Sequence, residues 1–193
     1  PGRKLTVVGV TGTDGKTTTA NLIYHILTAD GFKTAIYSTL SSAHTTTPPA
    51  EKLQKFLATS LKNGCTHAVL EVSSHAIDQN RIWGINFAVG VLTNIAPNEH
   101  SDYHKTFEHY QKTKLNFLKS CKQVADWKKI KNYRFETKLL GKFNRQNCLA
   151  AIGVAKILQI DDPSIKKAVA NFIPLPGRLE IVIKKPFLVI VDF

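Results

Sequence analysis

The sequence predicts an α/β fold, a mostly parallel sheet flanked by helices. Three observations carry that expectation. Short, unbroken apolar runs alternate with stretches of helical period. A turn rich in glycine and threonine joins the first apolar run to the first helix. A third run, His67–Glu71, ends in a carboxylate followed by polar residues, at the strand end where open parallel sheets bind ligands.

In chain order, Leu5–Val10 is a β-rich run, and a helix is expected from about Lys16 to Asp30, with Leu22, Ile23, Ile26 and Leu27 on one face. Gly31 stops it. Thr34–Ser38 is the next apolar run. Pro48 and Pro49 open a second helix that turns Leu53, Phe56, Leu57 and Leu61 inward and closes at Asn63-Gly64. His67–Glu71 and Phe87–Leu92 are buried strands, and Phe107–Ser120 is helical. From Cys121 to Lys138 no period is legible. Asn144–Leu158 is helical, Asp162-Pro163 reads as a cap followed by a first-turn proline, and that helix ends near Asn171. Leu179–Ile183 and Phe187–Val191 form a strand pair. No repeat or low-complexity linker interrupts the chain.

Composition narrows the function classes. With 193 residues and 43% apolar content, the chain can build a proper core. No apolar run approaches the ~20 residues of a membrane span. Cys65, Cys121 and Cys148 are odd in number and widely spaced, as expected of free thiols in a reducing, cytoplasmic setting. No stretch reads as a secretory signal; the lack of Met and the Pro-Gly-Arg-Lys start lead to the expectation that this is a piece of a longer protein. The formal charge is +12, and residues 101–150 supply most of it with twelve basic and four acidic groups. Such a local surplus suits a solvated face or a phosphorylated small molecule better than nucleic acid.

Gly9-Val-Thr-Gly-Thr-Asp-Gly-Lys-Thr-Thr18 is the most informative segment. It lies between a strand and a helix, the context of a P-loop. There, backbone N–H groups and the helix N-terminus cradle phosphate oxygens. Lys16 would reach the terminal phosphates and the Thr17 hydroxyl would ligate Mg²⁺. Val10 stands where the general pattern has its first glycine. A carboxylate for Mg²⁺ is expected at a buried strand's end, and Glu71 suits this better than Asp192. Asn94, Glu99, His100, Asp102 and His104 form a second polar cluster. His100 and His104, four apart, could be read as a zinc pair, but no cysteine or zinc-helix motif accompanies them. His25, His67 and His109 read as ordinary helix or strand-edge residues.

Taken in order, these motifs resemble the Mur ligases. Gly-Thr-Asp-Gly-Lys-Thr-Thr is followed by Thr-Thr-Thr-Pro at 45–48 and by Glu-Val-Ser-Ser-His at 71–75 with Gln79 and Arg81. Thr-Asn-Ile at 93–95, Glu-His-Ser-Asp-Tyr-His at 99–104, Leu-Gly-Lys-Phe-Asn-Arg-Gln-Asn at 140–147 and Leu-Pro-Gly-Arg-Leu-Glu at 175–180 continue the likeness, which ends on Val-Ile-Val-Asp-Phe. The likeness is greatest to the branch that adds the third amino acid to UDP-N-acetylmuramoyl-L-alanyl-D-glutamate in peptidoglycan synthesis.

The resemblance implies a role for each matching position. Gly12, Thr13, Asp14, Gly15, Lys16, Thr17 and Thr18 would bind ATP, with Asn94, Asn144, Asn147 and Asp192 elsewhere around the nucleotide. Thr17, Glu71 and His100 would surround Mg²⁺. Thr46, Thr47, Ser73, Gln79 and Arg81 would hold the UDP-muramoyl-dipeptide. Lys114 matches a lysine that these ligases carry as a carbamate; on pattern alone it reads as a solvated lysine on a basic helix. Residues 1–193 would form the central ATP-binding domain, without the N-terminal UDP-binding and C-terminal amino-acid-binding domains. Only about twenty residues separate the helix end near Ser120 from Leu-Gly-Lys-Phe-Asn, where the family has many tens, so residues 121–138 are either a shortened variant of that segment or stand beside residues absent from this sequence; Glu-His-Ser-Asp replaces the usual Asp-His-Leu-Asp.

The implied reaction is ATP-driven amide formation through an acyl phosphate, by a monomer that needs neither nucleic acid nor membrane. A folylpolyglutamate synthase-like ligase is the related alternative, and the Thr-Thr-Thr-Pro and Ser-x₅-Gln-x-Arg pair argues against it. A non-catalytic nucleotide- or nucleic-acid-binding module is the alternative from another class.

Overall fold

The computed structural model describes residues 4–41, 46–97 and 103–192. Strand β1 (Thr6–Thr11) lies at the centre of a five-stranded sheet with β2 (Thr34–Tyr37), β3 (His67–Glu71), β4 (Phe87–Leu92) and β5 (Gln123–Ala125). The order is β2-β3-β1-β4-β5 and every pairing is parallel. Val7, Val8 and Val10 suit a pleated interior and are fully buried. Because the chain leaves β1 toward one edge and later crosses to the other, the order reverses at β1. The C-terminal ends of β3, β1 and β4 therefore frame the crevice where such sheets place ligands.

Helices cover both faces. Helices α1 (Lys16–Ala29), α5 (Lys142–Ile157) and α6 (Asp162–Asn171) pack on one face, against Val8, Val10, Val69, Val89 and Val91. Helix α2 (Ala50–Lys62) and helix α4 (Phe107–Ser120) cover the other, with Leu53, Leu57 and Phe117 against Val7, Ala68, Leu70 and Phe87. Phe56 and Leu61, expected inward on α2, are only partly buried at this core's margin. Strand alternation explains the split, since Val7 and Val8 face opposite sides. Gly9 leaves room for the aromatic layer, because a β-carbon there would come within 2.5 Å of the Phe117 ring and 2.8 Å of the Phe87 ring.

Local chemistry fixes the helix ends. The Thr106 hydroxyl accepts a hydrogen bond from the His109 amide at 3.1 Å and starts α4 at Phe107. Gly31, in the left-handed region at φ 88°, ends α1, where its amide donates to the Thr28 carbonyl. The cap of α6 is Asp161, not Asp162: the Asp161 carboxylate accepts from the Ser164 amide at 2.8 Å, and Asp162 is already the first helical residue.

Two parts were not legible beforehand. Ser74–Asp78 forms a short helix, α3, capped by the Ser73 hydroxyl. Residues 121–138 add the edge strand β5, a 3₁₀ turn at Trp127–Ile130, and aromatic side chains that pack on the α5 side. The Trp127 indole N–H donates to the carbonyls of Leu92 (3.1 Å) and Thr93 (3.2 Å), bracing the end of β4. Strands β6 (Glu180–Ile183) and β7 (Val189–Val191) form a separate antiparallel pair. No helix among the described residues is long and apolar enough to cross a membrane, and the three cysteines are free thiols.

Candidate nucleotide and acyl-substrate site

The turn between β1 and α1 is held from behind by the segment after β4. The Thr13 amide donates to the Asn94 carbonyl (3.0 Å) and the Asp14 amide to Asn94 Oδ1 (2.9 Å). The Thr93 hydroxyl donates to the Asp14 carbonyl (2.5 Å), and the Ala96 amide donates to the Thr13 hydroxyl (2.9 Å). The Thr13 hydroxyl also meets the Tyr110 hydroxyl of α4 at 2.9 Å. Gly15 turns the chain into α1 in a left-handed conformation, φ 75° and ψ 2°. No side chain caps this N-terminus. The first amides of α1 thus face the crevice with the helix's positive end behind them.

Lys16 folds back over this turn, its ammonium donating to the carbonyls of Gly12 (3.1 Å) and Thr13 (2.5 Å). Lys114 is only 1% exposed and donates to the same Gly12 carbonyl at 2.7 Å, with its nitrogen 4.6 Å from the Tyr110 ring centroid. It is therefore not the solvated lysine that its helix's composition suggests. Glu71 is 1% exposed at the end of β3. Its carboxylate accepts from the Thr17 hydroxyl (3.1 Å), the Thr39 amide (2.9 Å) and the Thr39 hydroxyl (3.1 Å). Burial pushes its pKa above the usual carboxylate value; those hydrogen bonds and the nearby Lys16 charge oppose the rise without cancelling it.

A cavity of about 580 Å³ opens in front of the turn. Thr13, Asp14, Gly15, Lys16, Thr17, Thr18, Thr46, Glu71, Asn94, Asn144, Asn147 and Asp192, all expected from the sequence, border it. Gly12 lies behind the turn instead, its carbonyl taken by the two lysines. Asn94 serves the turn's shape through its Oδ1. Thr39, Phe143 and Arg178 also line the cavity and were not singled out beforehand. Arg178 and Phe143 sit inside recognisable motifs, which was the available signal; Thr39 offered none.

Beside the cavity, the remaining expected residues form one linked patch. The Thr47 hydroxyl donates to the Glu71 carbonyl (2.7 Å) and accepts from the Ser73 amide (3.0 Å). Arg81 donates to the Thr47 carbonyl (2.8 Å) and to Gln79 Oε1. Gln79 in turn donates to the Tyr103 hydroxyl at 3.3 Å, and that hydroxyl donates to Asp78 at 2.8 Å. Thr47 is thus committed to fixing the loop, whereas Thr46 reaches the cavity wall. His100, with Glu99 and Asp102, lies outside the described residues. His104 packs its ring among His75, Tyr103, His109 and Tyr110, and no group of three or more metal-binding side chains occurs among the described residues.

The profile of the Mur ligase middle domain matches residues 10–125, which carry the turn, Glu71, the Thr46–Arg81 patch and Lys114. The chain belongs to the Mur ligase family. Similar Mur ligases include the UDP-N-acetylmuramoyl-L-alanyl-D-glutamate–2,6-diaminopimelate ligase of Helicobacter hepaticus, 34% identical over 97% of this chain and 52% of that one. The ligase of the same name from Bacteroides fragilis is 31% identical over all of this chain and 50% of that one. The chain spans about half the length of these curated relatives. The Bacteroides fragilis alignment runs over 247 positions against 193 residues here, so that relative carries at least 54 positions (247 − 193) that this chain lacks. Among solved structures, a 2,6-diaminopimelate ligase of this kind superposes with a TM-score of 0.79 at 26% identity, covering 98% of this chain and 50% of that one. An FPGS–AMPPCP complex superposes at 0.67 and 20% identity, covering 97% of this chain and 68% of that one, and so shares the fold.

Proposed function

We propose that this chain is the nucleotide-binding central unit of a ligase that joins an amino acid to UDP-N-acetylmuramoyl-L-alanyl-D-glutamate, driven by ATP. The incoming amino acid would be 2,6-diaminopimelate, the one named for its relatives. The observation that carries this reading is the uncapped α1 N-terminus, with Lys16 above it and the buried Glu71 beside it, one wall away from the Thr46–Arg81 patch. The setting would be a cytoplasmic monomer.

In this reading the amides of Gly15–Thr18 hold phosphate oxygens, and Lys16 moves from its carbonyl partners onto the terminal phosphates. The substrate carboxylate attacks the γ-phosphorus, giving an acyl phosphate and ADP. The amine of the incoming amino acid then displaces phosphate and forms the amide. Lys16 offsets charge that builds on the transferring group, in a site working by position and electrostatics. Arg81 and Gln79 keep the 46–47 segment against β3, which would orient the muramoyl substrate toward the γ-phosphate.

The donor set suits Mg²⁺, a hard cation that takes oxygen ligands. Glu71 and the hydrogen-bonded Thr17 hydroxyl would hold it, together with His100, and a carbamylated Lys114 would help to hold a second Mg²⁺. When bound, Mg²⁺ would neutralise phosphate charge. A buried Lys114 supports the carbamate reading: addition of CO₂ to the neutral amine with loss of a proton makes an anionic oxygen ligand, which an ammonium cannot be.

The substrate class is tested by titration in the presence of Mg²⁺ and a non-hydrolysable ATP analogue. UDP-N-acetylmuramoyl-L-alanyl-D-glutamate is expected to bind saturably and a reduced folate not to bind. A preference for the folate overturns the assignment.

A further inference from the structure

Arg81 carries five N–H donors and no acceptor. Its Nε and Nη2 donate to Gln79 Oε1 at 2.8 and 2.5 Å, and its Nη1 donates to the Thr47 carbonyl at 2.8 Å. Among the described residues these contacts leave one N–H on each terminal nitrogen for a ligand. Paired N–H groups of this kind grip a carboxylate or a phosphate.

Gln79 is the weak point of the arrangement. Its amide has an oxygen at one end and two N–H donors at the other, and the two ends have nearly the same shape. Turned over, it would set N–H groups against those of Arg81 and drive the guanidinium away. What fixes it lies at its far end. Gln79 Nε2 donates to the Tyr103 hydroxyl oxygen at 3.3 Å, and that hydroxyl donates to Asp78 Oδ2 at 2.8 Å. An ionised carboxylate only accepts. Asp78 takes the one proton of Tyr103, so the Tyr103 oxygen is left to accept from Gln79, and the amide oxygen must face Arg81. With an acceptor-only group at one end and a donor-only group at the other, the row has a single consistent order of protons.

The row is also held in place. The Tyr103 ring lies against those of His75 and His104, with centroids 4.1 and 4.9 Å apart. His109 Nε2 stands 3.7 Å from Asp78 Oδ1, and His109 Nδ1 is 3.1 Å from Nδ1 of the buried His104. Asp78 closes α3 and His109 lies in the first turn of α4, so the row also bridges two helices.

We propose that Tyr103 and Asp78 are positioning residues for Arg81. They keep the Gln79 amide in one orientation, and so keep the guanidinium aimed at a carboxylate or phosphate of the acyl substrate. Neither touches that substrate. The proposal rests on the muramoyl-substrate reading above and adds what aims its arginine.

The experiment is calorimetric titration of UDP-N-acetylmuramoyl-L-alanyl-D-glutamate, with Mg²⁺ and a non-hydrolysable ATP analogue present. The proteins are the wild-type chain, Tyr103→Phe, Asp78→Asn, Arg81→Lys and the Tyr103→Phe/Arg81→Lys double variant, and the analogue is also titrated into each by itself. Tyr103→Phe keeps the ring and frees the amide; Asp78→Asn keeps the shape and lets the proton order reverse. Each is expected to weaken the UDP substrate roughly threefold to tenfold, the worth of about one hydrogen bond, and to leave the analogue within about twofold. In the double variant the Tyr103→Phe loss is expected to vanish, because the guanidinium through which it acts is gone. Unchanged substrate affinity in Tyr103→Phe, beside a wild type that binds, overturns this inference alone. An equal loss for the analogue also overturns it, as does the same loss repeated in the double variant, since Tyr103 would then support the fold or meet the substrate itself. Absence of substrate binding by the wild type overturns the muramoyl-substrate reading and this inference with it.

Discussion

Gly15→Ala is expected to weaken Mg·ATP binding at least about a hundredfold while leaving the fold intact. Two independent costs meet at this position. The residue sits at φ 75° and ψ 2°, a left-handed conformation that costs an L side chain roughly 1–2 kcal/mol. The new β-carbon would also lie 2.1 Å from Asn147 Oδ1. Asn147 cannot step aside freely, because it is buried and tied through Asn144 to the Leu140 carbonyl. The turn must therefore move, and with it the amides that would hold phosphate. Loss of two hydrogen bonds to a charged phosphate, at roughly 1.5–3 kcal/mol each, is enough to cost about a hundredfold in affinity. Calorimetry measures the affinity and far-UV circular dichroism verifies the fold. A folded variant within threefold of wild type would contradict the role given to this turn.

The second large effect is on stability. Phe117 is 2% exposed and meets Phe87 edge-on, with ring centroids 5.0 Å apart. Its tip fills the space that Gly9 leaves over β1, the central strand of the sheet. Phe117→Ala removes that ring and leaves a cavity between α4 and the sheet. The expected loss is about 3–5 kcal/mol, a large share of the ~5–15 kcal/mol that holds a typical domain together. Urea unfolding with an unchanged slope measures it. Phe117→Leu should recover part of the loss. A change below about 1 kcal/mol would mean that this layer repacks freely, against the close fit around Gly9.

Where the fold was legible, local chemistry and long-range packing agreed. The bounds of α4 follow from Thr106 and the apolar spacing behind it, and β1, β3 and β4 are valine- and leucine-rich runs ended by polar residues. The glycine turn announced itself because its residue types are needed for its own backbone shape. Residues 121–138 were opaque for the opposite reason. Trp127 acts by reaching the carbonyls of Leu92 and Thr93, thirty-five and thirty-four positions away, and no period within the segment encodes that.

The site shows the same division. Lys16, Thr17 and Glu71 could be placed because chemistry demands those groups at those points. Thr39 could not, since its part is to donate twice to Glu71 across the crevice. Lys114 illustrates a limit of composition: among the lysines of a basic helix it is the one buried under the glycine turn. The misplaced cap of α6 is a one-residue matter, since Asp161 and Asp162 are equally good caps by type and only the Ser164 amide distinguishes them.

Calorimetric titration of Mg·ATP into the wild-type chain and into Lys16→Ala tests the central claim most directly. The account predicts saturable one-site binding by the wild type, dependent on Mg²⁺ and lost in Lys16→Ala. A folded wild type that does not bind, or a Lys16→Ala variant that binds as well as the wild type, would contradict it.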